Sequence, residues 1–260
     1  MGIVNVTPDS FSDGGKYSSS ASAISHGLRL LDEGAAIIDI GGESTRPGAA
    51  DVDSEEESNR VLPVIKGILA KQPDACLSID TSKATVAAAA VDAGAKIIND
   101  VTGFCDPRMI QVAATTGAGI AVMHMQGRPR TMQTNPSYED VIADLRSFFE
   151  ERHATLTSAG IEAEAIVYDP GIGFGKTPEH ILTLLRHLDQ LMVSDRPLLL
   201  GVSRKSFIGK ILNSPEIEDR NWPTVAITSH ARELGVRLHR VHELKPNLEA
   251  LRMTEAMIRA

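Results

Sequence analysis

The sequence predicts a single (β/α)₈ barrel, because eight short apolar runs alternate with stretches of helical spacing along 260 residues. A strand that is covered on both faces is a continuous apolar run, and parallel neighbours need a helical connection between them. Each run also ends on a polar or charged residue, and the active site of a barrel lies at the carboxyl ends of its strands. The predicted strands are residues 2–5, 36–39, 77–80, 96–99, 120–124, 166–169, 198–203 and 238–242.

The predicted helices combine apolar residues at helical spacing with capping residues. Residues 20–33 carry apolar side chains on one face. Ser54 is the expected cap of the second helix, since Glu57 follows three residues later. Asp106 and Pro107 provide a cap and a first-turn proline for a helix over 109–116. Further helices are predicted over 137–158, 177–188, 223–234 and 246–258.

Composition and charge favour a cytoplasmic enzyme. The net charge of −8 argues against general nucleic-acid binding, so an anionic ligand needs local basic groups or a metal. No secretory signal is recognised, and no apolar run approaches the length of a membrane span. Cys76 and Cys105 lack metal-binding spacing and are expected to be buried and reduced.

Two predicted connections are much longer than the few residues that usually link a strand to a helix. They run over about residues 7–19 and 41–53, after the first and second strands, and are rich in Gly, Ser, Thr and Pro. Long loops at this end of a barrel are typically functional, so we expect two mobile loops that close over the site. A third connection, residues 126–136, is basic and less informative.

Asp80, Asn99 and Asp169 end three of the predicted strands. Carboxylates and amides can hydrogen-bond to the edge of a planar heterocycle, and one carboxylate can grip adjacent ring N–H and amino groups. Each Asp alone could equally cap the following helix. The three together, on one face of a barrel, favour ligand binding.

Basic residues follow the last two strands, where barrels often bind phosphate. Ser203, Arg204 and Lys205 follow the seventh strand, and Arg240 and His242 alternate at the end of the eighth, so their side chains should point the same way. Asn5 ends the first strand, and its amide oxygen is a possible ligand for Mg²⁺.

One glycine-rich segment imitates a phosphate-binding loop. Residues 171–177 end in Gly-Lys-Thr, but the loop spacing requires Gly at position 170, which is Pro170, and Lys176 breaks the dinucleotide fingerprint. His124 is interpreted as a packed residue.

Several motifs then resemble one family. Residues 1–15, MGIVNVTPDSFSDGG, and residues 39–48, DIGGESTRPG, are similar to two signatures of the dihydropteroate synthase family. Shorter landmarks follow in the family's order: SIDT at 78–81, IIND at 97–100, MHMQG at 123–127, DPGIGFGK at 169–176, SRKS at 203–206 and RVH at 240–242. The resemblance covers nearly the whole chain.

The resemblance implies a homodimeric barrel enzyme of folate biosynthesis that uses Mg²⁺. Such enzymes join 6-hydroxymethyl-7,8-dihydropterin diphosphate to 4-aminobenzoate and release 7,8-dihydropteroate and diphosphate. The implied order of events is loss of diphosphate to leave a pterin cation, followed by attack of the amine. Closure of the two long loops would exclude water, and sulfonamides are expected to inhibit.

The resemblance also assigns site residues by position. The implied pterin contacts are Asp80, Asn99, Asp169 and Lys205, with Met123 and Phe174 lining the slot. The implied diphosphate contacts are Thr45, Arg240 and His242, with Asn5 as the metal ligand, and Val241 is also expected to bind substrate. The implied aminobenzoate contacts are Phe11, Arg46, Pro47, Ser203 and Lys205, and Asp9 is expected to stabilise the cation. The catalytic set would be Asp9, Arg46, Asp80, Asp169, Lys205, Arg240 and His242.

Three departures from the family's pattern stand out. The sequence begins at the first strand, so the segment that usually covers the barrel floor is expected to be absent. Glu243 replaces an Asp, with little effect expected, and residues 221–224 differ in a way that could change the dimer surface.

Two other functions are compatible with a pterin-binding barrel. A methyltetrahydrofolate:corrinoid methyltransferase should lack the two long loops and the pair Arg240 and His242, all of which are present. A non-catalytic pterin-binding protein would not need to retain every implied contact.

Overall fold

The structure is a computed structural model that describes residues 1–7, 15–44, 51–127 and 131–260, with the backbone alone for residues 15–19. In these ranges, eight parallel strands alternate with helices. The strands are β1 (Gly2–Asn5), β2 (Ile38–Gly41), β3 (Leu77–Asp80), β4 (Ile97–Asp100), β5 (Gly119–Met123), β6 (Ile166–Asp169), β7 (Leu199–Leu200) and β8 (Leu238–His239). The helices are α1 (Gly15–Asp32), α2 (Ser54–Leu69), α3 (Ala84–Asp92), α4 (Pro107–Thr116), α5 (Val141–Ser158), α6 (Pro178–Arg186), α7 (Ser206–Leu212), α8 (Asn221–Glu233) and α9 (Leu244–Arg259).

The strands close into a barrel, which confirms the predicted fold. Strands β1 to β6 form a continuous parallel sheet in chain order, and β7 pairs with β8. Isolated parallel bridges join Tyr168 to Leu198 and Gly2 to Val241. The amide of Ile3 donates to the carbonyl of Val241 at 3.1 Å, so the last strand returns to the first.

The core lies between the strands and the surrounding helices. Ile38, Ile40 and Leu77 of the strands are fully buried, as are Ile65 and Ile68 of α2. This layer of branched side chains fixes the helices against the strands, while the alternate residues Asp39 and Asp80 face the inside of the barrel.

The first residues of the helices are set by capping side chains. Asp106 caps α4 by accepting from the amide of Arg108, and Gly117 ends that helix in the left-handed conformation. Asp53, rather than the predicted Ser54, caps α2, and its carboxylate accepts from the amide of Glu56 at 2.8 Å. The prediction of Ser54 was wrong because Asp53, one residue earlier, accepts the bond and adds a negative charge, which the helix dipole favours at this end.

Some other predicted boundaries also need correction. Helix α5 begins at Val141 rather than at 137, because Asp140 caps it and Ser137 instead bonds to the side chain of Gln126. Strand β8 ends at His239, so Arg240 and His242 lie beyond the regular strand instead of alternating along it.

Two short helices were not predicted from the sequence, and the burial expected of the two cysteines was wrong. Helix α3 is so rich in alanine that it shows no contrast between faces, and α7 spans only seven residues. Cys76 is half-buried and Cys105 exposed, so the expected burial was wrong, although both thiols are free. No helix of the described ranges is long and apolar enough to cross a membrane.

Candidate active site

The register of the sheet brings the predicted strand-end residues to one edge of the barrel. Asp80 is opposite Gly41 on one side and Asn99 on the other, and Asn5 is opposite Gly41. Asp169 is likewise opposite Met123. The carboxyl ends of β1 to β6 therefore place these side chains around a common mouth.

Neither predicted strand-end aspartate caps a helix. Helix α3 begins after Lys83 and has no side-chain cap, and α6 begins after Thr177, whose hydroxyl accepts from the amide of His180. The helix-capping interpretation of Asp80 and Asp169 is thereby excluded, which leaves both carboxylates directed to the mouth.

Arg240, which follows β8, connects the end of that strand to β2 and β3 at this mouth. Its Nε donates to Asp39 Oδ2 at 2.5 Å, and its Nη2 donates to Asp80 Oδ2 at 2.7 Å. Asn99 Nδ2 donates to the same Asp39 oxygen at 3.1 Å. Arginine has five N–H donors, so three remain without a described partner and can bind an anionic ligand.

Burial and neighbouring charges together set the pKa values of Asp80 and Arg240. Burial raises the pKa of the Asp80 carboxyl, with Arg240 opposing the rise and Asp39 adding to it. Burial also works against the charged form of Arg240, but the carboxylates of Asp39 and Asp80 outweigh it and raise the pKa of the guanidinium. Arg240 therefore stays charged, and its single positive charge interacts with both the Asp39 and the Asp80 carboxylates.

Asp169 and Lys205 form the opposite side of the mouth. Asp169 Oδ1 accepts from the amide of Gly171 at 2.7 Å. Lys205 Nζ donates to the carbonyl of Ile172 and lies 4.7 Å from the centre of the Phe174 ring. Burial lowers the pKa of Lys205 to about 8, although Asp169 opposes the shift.

The segment after β8 makes a second polar contact with the end of β7. The backbone amide of His242 donates to Ser203 Oγ at 3.1 Å, and His242 Nδ1 lies 2.9 Å from the same hydroxyl. Val241, between Arg240 and His242, is buried and closes the barrel against β1. Backbone pairing at Val241 therefore fixes both basic neighbours beside the mouth.

Arg204 does not point into the mouth. Its backbone is left-handed, with φ of 58°, and its guanidinium binds Glu243 and Asn221. Glu243 and Asn221, two of the family departures, therefore hold Arg204 aside while Lys205 contacts Phe174.

The comparisons with known proteins agree with this geometry. The family model of pterin binding enzymes matches residues 1–242. Dihydropteroate synthase of Escherichia coli strain K12 is 45% identical over 260 residues, which are 100% of this chain and 92% of that protein.

The chain belongs to the dihydropteroate synthase family.

Solved structures of family members superpose closely on it. A Yersinia pestis dihydropteroate synthase in a sulfonamide drug complex has a TM-score of 0.93 and 45% identity, covering 100% of this chain and 94% of that one. A Xanthomonas albilineans dihydropteroate synthase in complex with 7,8-dihydropteroate has a TM-score of 0.90 and 40% identity, covering 100% and 93%. The fold and family expected from the sequence motifs are thus confirmed.

Several residues assigned from the family resemblance lie outside the described residues: Asp9, Phe11, Thr45, Arg46 and Pro47. The two long loops that carry them are therefore described only at their ends.

Sequence reasoning missed Asp39, which is fully buried and accepts from both Arg240 and Asn99. It was visible as the end of a predicted strand. Because β2 continues to Gly41, Asp39 is one layer deeper than Asp80.

Sequence reasoning also missed an ionic cluster at the base of the second long loop. Lys83 Nζ donates to Glu43 at 2.6 Å and to the fully buried Glu57 at 2.5 Å. The amide of Val52 donates to Glu43 at 2.9 Å, so the cluster links the two ends of that loop. No spacing in the sequence marks these residues, because they come from three different elements.

The surroundings of Asn5 fit one type of metal site. In the described part of the chain, no three His, Cys, Asp or Glu side chains come together as metal ligands, and the Asn5 amide has no described hydrogen-bond partner. The residues that the structure describes therefore do not provide a cage made only of protein ligands there. Mg²⁺ needs only one or two protein oxygens when water and substrate phosphate complete its shell, and Asn5 can supply one.

Proposed function

We propose that this chain is a dihydropteroate synthase, which joins 6-hydroxymethyl-7,8-dihydropterin diphosphate to 4-aminobenzoate and releases 7,8-dihydropteroate and diphosphate in folate biosynthesis. The observation that carries this proposal is the convergence of Asp80, Asn99, Asp169, Lys205 and Arg240 at one barrel mouth. The relative from Xanthomonas albilineans, whose structure contains 7,8-dihydropteroate, supports the same product.

The pterin ring binds between the two sides of the mouth. The Asp80 carboxylate accepts from one part of its polar edge, and the Asn99 side chain can accept or donate there. The Asp169 carboxylate accepts from the ring N–H and amino groups. Lys205 donates to a ring oxygen or nitrogen. Met123 and Phe174 cover the faces of the ring, since their side chains lie beside Gly171 and Lys205, respectively.

The diphosphate group binds at the end of β8. The three uncommitted N–H donors of Arg240 and the ring of His242 face its oxygens, with Val241 holding both in place. Thr45 is assigned to the same group by family position. Mg²⁺ held by Asn5 and phosphate oxygens would neutralise charge on the leaving group.

The residues stabilise charge as the bond to diphosphate breaks. The carbon–oxygen bond breaks with its electron pair leaving on diphosphate, where Arg240 and His242 stabilise the growing negative charge. The carboxylates of Asp80 and Asp169 stabilise the pterin cation. The amine nitrogen of 4-aminobenzoate then bonds to the methylene carbon and loses one proton to solvent or diphosphate, so no strong base is required.

The 4-aminobenzoate site is assigned by family position to Phe11, Arg46, Pro47, Ser203 and Lys205. The hydroxyl of Ser203 is held by His242, which gives this site a fixed polar wall. Asp9 in the first loop is proposed to help stabilise the cation, and exclusion of water would protect it.

A homodimer located in the cytoplasm is part of the proposal. Trp222 at the start of α8 is 76% exposed, and Ile211, Leu212 and Ile217 are exposed nearby in the chain. An apolar group of this kind is typical of a surface that a partner covers. Light scattering after size exclusion should give twice the chain mass for the native protein, and a monomer for Trp222→Lys.

The activity is tested by incubating the protein with pterin diphosphate, 4-aminobenzoate and Mg²⁺ while measuring dihydropteroate and diphosphate. Dihydropteroate should accumulate in proportion to diphosphate, and Asp169→Asn should lose most of the rate. Methyl transfer from methyltetrahydrofolate to a corrinoid, without any dihydropteroate, would contradict the proposal.

A further inference from the structure

The turn of residues 170–177, which follows β6, packs against the end of β5. A Cβ atom on Gly171 would lie 1.9 Å from the carbonyl oxygen of His124 and 3.3 Å from Met123 Cγ. The same turn carries Phe174, whose ring lies under Lys205 Nζ. The turn therefore determines the positions of two side chains assigned to the pterin slot, Met123 and Phe174.

Lys176 fastens this turn from within. Its side chain is almost fully buried, at 2% exposure. Its Nζ lies 3.0 Å from His124 Nδ1, 3.0 Å from the carbonyl oxygen of Phe174 and 3.4 Å from the carbonyl oxygen of His124. In its charged form Lys176 has three N–H donors, and each one then has an acceptor in the protein.

The contact with Lys176 determines which ring nitrogen of His124 carries the proton. When Lys176 is charged, all three of its N–H groups donate, so Nδ1 of His124 accepts and the neutral ring carries its proton on Nε2. Burial, together with the charge of Lys176, lowers the pKa of His124 to about 3, in agreement with this assignment. His124 therefore serves as a fixed acceptor for Lys176 rather than as an acid or base.

Aromatic side chains complete the surroundings of Lys176. The Tyr138 hydroxyl donates to the carbonyl of Gly175 at 2.8 Å, and its ring centre lies 5.9 Å from Lys176 Nζ. Phe148 packs edge-on against the His124 ring, with 5.0 Å between ring centres. Two consecutive carbonyls of the turn are therefore held by side chains: Lys176 binds the carbonyl of Phe174, and Tyr138 binds that of Gly175.

We propose that Lys176, assisted by Tyr138, is a positioning residue that sets the geometry of Phe174 and Met123 for the planar pterin ring. All three donors of Lys176 are used inside the protein, so it acts through these two residues and not by touching the substrate. The inference rests on the proposed function, because it assigns Lys176 to recognition of the pterin half of the substrate pair.

The test compares Lys176→Met with the native protein and with Lys71→Met, the same change at an exposed lysine. Calorimetric binding of 6-hydroxymethyl-7,8-dihydropterin diphosphate with Mg²⁺ is the first readout, and the KM of each substrate is the second. Lys176→Met should weaken pterin diphosphate binding about tenfold, since buried acceptors lose their partner. The KM for 4-aminobenzoate should stay at the native value, and Lys71→Met should match the native protein in both readouts.

A folded Lys176→Met protein that binds pterin diphosphate as tightly as the native protein would overturn the proposal. Equal losses for both substrates would also overturn it, because they indicate general damage. If Lys176→Met does not fold, Tyr138→Phe removes only the hydroxyl that holds Gly175; it should weaken pterin binding alone, and native binding would overturn the proposal. The native protein is measured first, so a failure of the proposed function appears as absent pterin binding before any variant is compared.

Discussion

Arg240 and Asp39 form an ion pair of 2.5 Å at the barrel mouth, between residues 201 positions apart in the chain. Asp39 is fully buried, and its second oxygen has no hydrogen-bond partner among the described residues. The pair aligns the guanidinium so that Nη2 reaches Asp80. Asp39 therefore determines how Arg240 is presented to the substrate.

The first prediction concerns this pair. Asp39→Asn keeps the shape of the side chain but removes its charge, so Arg240 loses one of two carboxylate partners. We expect a loss of about 3 kcal/mol in the free energy of unfolding, the range for breaking a buried pair, and a large fall in kcat/KM for pterin diphosphate. Urea unfolding and steady-state rates measure the two effects. Asp106→Asn, at an exposed pair with Arg108, is the control and should leave both quantities unchanged.

The second prediction concerns Lys205 and pH. Its pKa is lowered to about 8 by burial, so Lys205 is charged below this pH and neutral above it. Affinity for pterin diphosphate should therefore fall as pH rises from 7 to 9, because a positive charge beside Asp169 is lost. Calorimetry across this range gives the profile. Lys205→Met should bind more weakly at pH 7 and show a flatter profile; an equally steep decline in that variant would assign the titration to another group.

The third prediction concerns the stability contributed by Lys176. Burial lowers its pKa from 10.5 to about 7, so between these values the unfolded chain binds more protons than the folded one. The stability of the native protein relative to Lys176→Met should therefore increase as pH rises from 7 toward 10. The limit is about 1.4 kcal/mol for each pH unit. Urea unfolding of both proteins at pH 7 and pH 9 gives this difference, and a constant difference would show that the amine is not desolvated.

The fourth prediction concerns Gly171, which adopts φ of 62° against the carbonyl of His124. Gly171→Ala places a methyl group where the carbonyl oxygen of His124, the residue after β5, already lies, so both the turn and pterin binding should be lost. Gly160→Ala is the matched control, since φ is 89° but no atom lies within 4 Å of the added carbon. The control should lose only about 1–2 kcal/mol from the left-handed backbone. Equal thermal stabilities of the two variants would contradict the close approach.

The residues at the strand ends show how much of the site can be predicted from the sequence. Asp80, Asn99 and Asp169 could be predicted because each follows a continuous apolar run, and runs of this kind become barrel strands. Asp39 belongs to the same pattern but was not assigned to the site, because its depth depends on the register of β2, which a sequence does not state.

Lys176 could not be predicted for a different reason. Its segment imitates a phosphate-binding loop, and the sequence alone rejects that motif without giving the lysine another role. The acceptors of Lys176 are the carbonyl of Phe174 and the ring and carbonyl of His124, 52 residues earlier. Contacts between side chains and backbone carbonyls leave no periodic signal.

The fifth prediction concerns sulfonamides. The Yersinia pestis relative forms a sulfonamide drug complex, and the family resemblance assigns Phe11 and Pro47 of this chain to the 4-aminobenzoate site. A sulfonamide should raise the apparent KM for 4-aminobenzoate while the maximal rate stays constant. Rates measured over a grid of both concentrations give this pattern, and a fall in maximal rate at unchanged KM would argue against a shared site.

A crystal structure of the protein with 6-hydroxymethylpterin diphosphate and Mg²⁺ tests most directly whether the strand ends form one substrate site. We expect the pterin edge within hydrogen-bond distance of Asp80, Asn99 and Asp169, and the diphosphate oxygens against Arg240 and His242. A ligand bound away from the carboxyl ends of the strands, or one whose diphosphate faces Asp169 instead of Arg240, would contradict it.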